Sequence, residues 1–292
     1  MTGFVASLIT LGFLAQVLRI AIPYVLAALG GTLSERAGVI DLALEAKLLM
    51  GAFAAAVLGY ETGSIAVGIA GAAAAGVAVA AIQALWSVRL GADQVVTGIA
   101  LNLGAFGFTR YFLGVRYGQG ANSPRFDGVG TGVLTNPITW IAAALVALVV
   151  VGLWQTRLGL RVRAVGERPD AVAAAGVSVA RVRWAAVLIG GAIAGVGGAQ
   201  LSLPVDGFVA EASGGRGYVA LAAVIMSGWR PGRAALWCLA FGLADAVQYR
   251  MQTHGVGLPA ELTRLLPYVL ALVLLAVWPR RVAPPRALGQ PD

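Results

Sequence analysis

Apolar residues run along this chain in long blocks separated by short polar or arginine-rich stretches. The blocks occupy about 5–30, 42–59, 64–87, 94–114, 137–154, 184–203, 214–229, 232–250 and 264–279. A membrane-crossing helix needs about 20 apolar residues. The pattern therefore predicts one all-α transmembrane domain over 1–292, a helical bundle of about eight to ten spans. Two blocks depart from it: 42–59 opens on charges and 214–229 is short, so both are expected to be broken or re-entrant helices. The first block, beginning MTGFVASLITLGFLAQ, has no basic leader and no clear cleavage site, and is expected to be a span and not a signal peptide.

The most informative stretch is Thr32–Val57, TLSERAGVIDLALEAKLLMGAFAAAV. It places Glu35, Arg36 and Asp41 before a small-residue helix, then Glu45 and Lys47 inside the start of that helix. A charge at the bilayer centre costs about 2.5–3.5 kcal/mol on insertion scales, so such groups face a protein interior or a wet cavity. Glu45 and Lys47 are two residues apart and do not face one another on a helix. Glu45 is expected to face the bundle interior near the positive helix end, sharing that site with Asp41. Lys47 is expected to reach another helix or snorkel back to the headgroups.

Composition agrees: 59% hydrophobic, 12% charged and a mean hydropathy of +0.83 leave too few charges to cover a soluble surface. Forty glycines within apolar runs predict closely packed helices. The net charge of +8 rests on arginine, since Lys47 is the only lysine. The positive-inside rule accounts for that excess with no nucleic-acid partner. Arg157, Arg161, Arg163, Arg168, Arg181 and Arg183 place 155–183 in the cytoplasm, and Arg36, Arg89, Arg230, Arg233 and the tail at 280–292 follow. Nine crossings with the N-terminus outside fit that bias. The segments DLALEAKLLMGAFAAAV and VALAAVIMSGWRPGRAALW share a Leu-Ala-rich start and a break, which suggests an internal repeat or merely a shared composition.

Within 155–183, Pro169 suits a first helical turn, Asp170 complements its dipole and Gly176 is a natural stop. The short helix so predicted, DAVAAAG, is either a plain surface loop or a helix that docks into a soluble partner. Catalytic chemistry is poorly supplied. One histidine (His254), one cysteine (Cys238), no GxSxG and no HExxH supply a hydrolase or metal site poorly, and without GxxxxGK[ST] the chain cannot hydrolyse ATP by the P-loop route. Polar residues within spans mark a substrate path: Glu45, Asn102, Asp41, Gln83 and Gln200, each of which could instead make an interhelical hydrogen bond. On residues alone, three classes stay open: an ATP-driven importer subunit, a self-contained secondary transporter or channel, and an intramembrane enzyme.

Five stretches carry a family resemblance: LSERAGVIDLALE (33–45), LLMGAFAA (48–55), DQVVTGIALN (93–102), RAVGERPDAVAAAGVSVARVR (163–183) and GRGYVALAAVIMSGWRPGRAAL (215–236). In this order they resemble the membrane permease subunit of ABC importers of the branched-chain amino acid/ribose permease family, in its nucleoside branch. Where related permeases tend to read VINIGLEG, this chain reads VIDLALEA. The resemblance implies nucleoside import across a bacterial cytoplasmic membrane. It implies a second permease subunit, an extracytoplasmic substrate-binding lipoprotein, and cytoplasmic ATP-binding subunits that hold ATP and magnesium. It also implies that Pro169–Gly176 is the coupling helix, with Glu167, Pro169, Asp170, Ala173, Ala174 and Gly176 at the ATPase contact.

Overall fold

A computed structural model describes residues 10–130, 132–253, 265–277 and 283–290. Hydrocarbon offers backbone groups no water, so each apolar block closes its hydrogen bonds within itself as a helix. In chain order these are α1 (Leu11–Arg36), α2 (Leu44–Thr62), α3 (Ile65–Ala84, continued by a π turn, Leu85–Arg89), α4 (Gln94–Tyr117) and α5 (Pro137–Gln155). There follow α6 (Arg157–Glu167), α7 (Pro169–Ala174), α8 (Val179–Ser202), α9 (Arg216–Ser227), α10 (Pro231–Thr253) and α11 (Leu266–Val277). Among the described residues no strand forms beyond an isolated bridge between Asn122 and Val209. The chain is thus an all-α polytopic bundle. Among the described residues, four helices are by themselves long and apolar enough to cross a membrane: Leu11–Arg36, the α3 run to Arg89, α5, and Val179–Val205.

Helix starts follow local chemistry. Side chains of Thr10, Ser64, Asp93, Asn136, Thr156 and Ser178 each accept from a first-turn amide, which satisfies a donor the helix leaves unpaired. Two expectations need correction. The charged segment Thr32–Arg36 is not outside the first span but forms its last turns, because Glu35 and Arg36 find partners described below. The 155–183 segment is not one loop with one short helix, since Thr156 caps a further helix, α6.

The α8 helix lies at the centre, packed on α1, α2 and α3. Backbones meet there with no room for a methyl group: a Cβ on Gly51 would overlap the Gly195 carbonyl, and one on Gly76 the Gly191 carbonyl. Glycine therefore sets the interhelical distance in this core. Cys238 is buried in the same apolar core. His254, Arg280 and Arg281 lie outside the described residues. The described part of the tail docks beside the α1–α2 junction: Ala287 donates to the Gly166 carbonyl (2.9 Å) and Gly289 to that of Gly38 (3.0 Å), while Arg183 donates to that of Gln290 (3.0 Å).

Candidate translocation site at the helix break

Between α1 and α2 the chain unwinds inside the bundle. Gly38 (φ 93°) ends α1, and Val39 donates back to the Ser34 carbonyl at 3.0 Å. The next peptide groups have no helical partners, so side chains replace them. The Ile40 amide donates to Gln94 Oε1 (2.6 Å) and its carbonyl accepts from Gln83 Nε2 (3.1 Å). Asn102 Nδ2 donates to the Leu42 carbonyl (3.0 Å), and its Oδ1 accepts from the Ala46 amide (2.9 Å). Irregular backbone at membrane depth survives only where such partners or a wet cavity satisfy it.

The charged side chains in this stretch all have partners, though not all have a counter-charge. Lys47 Nζ sits 2.7 and 2.6 Å from the two Asp41 carboxylate oxygens, and Ser34 Oγ donates to Asp41 at 2.7 Å. Neither ionic side chain is exposed. Two expectations fail here. Lys47 does not reach the headgroups, and Asp41 does not share the Glu45 site, because the turn at 42–43 folds Asp41 back under Lys47. Glu45 instead accepts from the amides of Gly215 and Gly217, each at 2.7 Å.

Those amides open α9, whose 12 residues rise about 18 Å against about 30 Å of hydrocarbon. Its other end is held by the same charged stretch. Arg36 donates to the carbonyls of Trp229 (2.8 Å) and Gly228 (3.2 Å), while the Trp229 indole donates to Glu35 at 2.5 Å. Gly228 and Trp229 take φ of 68° and 55° to make this turn. A carboxylate at its N-terminus and a guanidinium at its C-terminus match the two ends of the helix dipole.

The start of α9 lies deep. Arg216 approaches Asp245 (3.8 Å), which accepts from the Tyr24 hydroxyl (2.7 Å), and Tyr24 is the fourteenth of the 26 residues in α1. The positive end of a half-helix thus sits midway along a spanning helix, the arrangement transporters use near solute sites. One turn in, the Tyr218 hydroxyl accepts from Asn102 Nδ2 at 2.9 Å.

Of the five residues predicted for the path, Asp41, Glu45, Gln83 and Asn102 gather on this break. Gln200 does not: it accepts from Asn136 Nδ2 (2.9 Å) at the far end of α8. Sequence reasoning passed over Gln94, Trp229, Tyr218 and the Tyr24–Asp245–Arg216 cluster. Polar residues within apolar blocks were the sign available for Gln94 and Asp245; aromatic residues carry none. At the other candidate surface, α7 buries none of its residues and Gly176 follows at φ 77°. Glu167 stands 4.0 Å from Arg36. A cavity of about 300 Å³ separates the start of α7 from the tail, lined by Glu167, Asp170 and Arg286 among others. Among the described residues no cluster of His, Cys, Asp or Glu could hold a metal ion.

Comparison with known proteins adds to this geometry. The chain is 35% identical over 263 residues to TsgC13 of Haloferax volcanii, provisionally named a glucose ABC transporter permease protein, covering 85% of this chain and 80% of that one. It is 32% identical to the nucleoside ABC transporter permease protein NupC of Lactococcus lactis, over 94% of both chains. It is 30% identical to the guanosine ABC transporter permease protein NupQ of Bacillus subtilis, over 93% of both. No solved structure matches significantly. Residues 13–275 match the family described as the branched-chain amino acid transport system / permease component, and the chain is a member of that family of non-catalytic, multi-pass membrane permeases.

Proposed function

We propose that this permease forms half of the membrane channel of a nucleoside importer in a bacterial cytoplasmic membrane, N-terminus outside. It pairs with a second, different permease chain. An extracytoplasmic lipoprotein delivers the solute, and cytoplasmic ATP-binding subunits, which bind ATP and magnesium, dock on Pro169–Gly176. The observation that carries the reading is similarity to two nucleoside permeases along more than nine-tenths of each chain. The geometry supports a translocation role through the half-helix α9 and the buried break beside it. A self-contained secondary transporter leaves the exposed α7 without a purpose.

A sugar is the second reading, favoured by the 35% identity to TsgC13. Reconstitution of the full complex into liposomes, with ATP inside and labelled guanosine, uridine or glucose outside, decides between them. ATP-dependent nucleoside uptake that glucose does not compete supports the proposal. Glucose uptake without nucleoside uptake replaces it, and uptake by this chain alone removes the importer mechanism.

A further inference from the structure

We propose that Tyr218 is the residue of this chain that touches the solute within the membrane, and that Asn102 positions it. The inference rests on the importer reading above. The charged groups at the break are already committed, and its amide side chains are buried. Glu45 gives its two carboxylate oxygens to backbone amides, Asp41 is taken by Lys47 and Ser34, and Gln83 gives its Nε2 to the Ile40 carbonyl while its Oε1, without a partner among the described residues, has no exposed surface. Both amide hydrogens of Asn102 are used, one on Leu42 and one on Tyr218. None of these four side chains belongs to a residue more than 2% exposed, whereas Tyr218 is 46% exposed.

Two further observations place that exposed ring in the path and not in lipid. Membrane tyrosines gather at the two interfaces, where the hydroxyl reaches water. Tyr218 instead stands two residues after Arg216, whose partner Asp245 binds Tyr24 at the middle of α1. It also borders unwound backbone, which tolerates protein or water on its open side and not hydrocarbon. Because Asn102 donates to the phenol oxygen, the phenol proton is left to point outward. Tyr218 therefore offers a flat aromatic face and one hydrogen-bond donor, a match for a heteroaromatic base with ring acceptors. Asn102, at 2% exposure, acts through that orientation without touching the solute.

The test uses the complete transporter in proteoliposomes. Cys238 is fully buried, so this chain adds little background labelling, and the modification is read on this subunit after the complex is separated. A charged, membrane-impermeant methanethiosulfonate reagent is expected to modify Tyr218→Cys, and guanosine to slow that reaction at least severalfold. Tyr218→Phe is expected to raise the KM for guanosine uptake about fivefold with Vmax held, as for one lost hydrogen bond. Tyr218→Leu removes the ring and should raise it on the order of tenfold or more. Asn102→Ala should raise KM like Tyr218→Phe and, unlike it, lower Vmax, because it also strands the Leu42 carbonyl and the Ala46 amide; added to Tyr218→Phe it should raise KM no further. Reaction of Tyr218→Cys only with a lipophilic maleimide, or an unchanged KM in Tyr218→Leu, overturns the proposal. If the wild-type complex carries glucose and no nucleoside, the nucleoside reading fails separately. Slowing of the labelling by glucose then keeps Tyr218 in the path, and no slowing by either solute removes it.

Discussion

Lys47 and Asp41 form an ion pair in which neither side chain reaches the surface, with Nζ 2.6 Å from the nearer carboxylate oxygen. The pair spans the unwound turn, so it ties the first residues of α2 to the end of α1 through Ser34. Removing one partner strands a charge in the bundle, which costs about 3–5 kcal/mol. Lys47→Met is therefore expected to lower the thermal midpoint of the detergent-solubilised complex strongly. The double variant Asp41→Asn, Lys47→Met should recover most of that loss. Equal destabilisation by the single and double variants would show that the pair contributes nothing as a pair.

Glu45 tests the other half of the break. Its two oxygens each accept from a backbone amide at the start of α9, and Glu45→Gln turns one acceptor into a donor facing an N–H group. A hydrogen bond to a charged group contributes about 1.5–3 kcal/mol. The variant should keep its assembly with the partner permease and lose most ATP-dependent uptake, since α9 loses its anchor at the depth where the solute crosses. Wild-type uptake by Glu45→Gln would leave the carboxylate a structural cap only.

These two groups show what the sequence makes legible. Helix positions follow from hydropathy because hydrocarbon permits no alternative, and the short α9 stood out by length alone. That Glu45 needed a special partner was also legible, since a carboxylate in an apolar run has no other way to persist. Which partner it takes was not: the Gly215 and Gly217 amides lie about 170 residues away. Helical spacing argued against a tie between Glu45 and Lys47, and each does take a separate partner; it could not point to the partner Lys47 takes. Asp41 lies before α2 begins, and the turn carries it to Lys47. Gln83 and Asn102 read as path residues for their polarity, yet each bonds the backbone of the break, a role that depends on which helices flank it. The helix α6 was hidden from a search for apolar blocks by its arginines; its local signs were the Thr156 cap and an amphipathic alternation of Leu158, Val162 and Val165 with arginines.

Orientation has its own check. The arginine-rich 155–183 segment, the α1–α2 break and the docked tail share one end of the bundle, through the bonds of Gly166 to Ala287 and Gly38 to Gly289. A cysteine at Ser178 or Gln290 should react with an impermeant maleimide only from the cytoplasmic side, and one at Asn122 only from outside. Ala287 is a poor probe, being 1% exposed. Labelling of Ser178→Cys in intact cells would reverse the bundle and remove the proposed ATPase contact.

The last prediction concerns that contact. The α7 helix has six residues, none buried, and ends at Ala174, so its conformation matters little to the rest of the fold. A rigid helix is needed only if motion is passed through it. Proline at Ala174 removes a helical hydrogen bond and sets its ring against the carbonyl of Asp170, at a cost of about 3 kcal/mol. Expression and membrane insertion of Ala174→Pro should match the wild type, because no core contact is lost. Uptake should fall at least tenfold, and solute-stimulated ATP hydrolysis by the complex should fall with it. The link runs on from α7 through Glu167 to Arg36, which holds the C-terminal end of α9. Glu167→Gln should accordingly weaken coupling by a smaller factor, since an ion pair 4.0 Å long with one partner half exposed contributes little. Undiminished stimulated ATPase activity in Ala174→Pro would sink the coupling role of this helix while leaving the break and Tyr218 untouched.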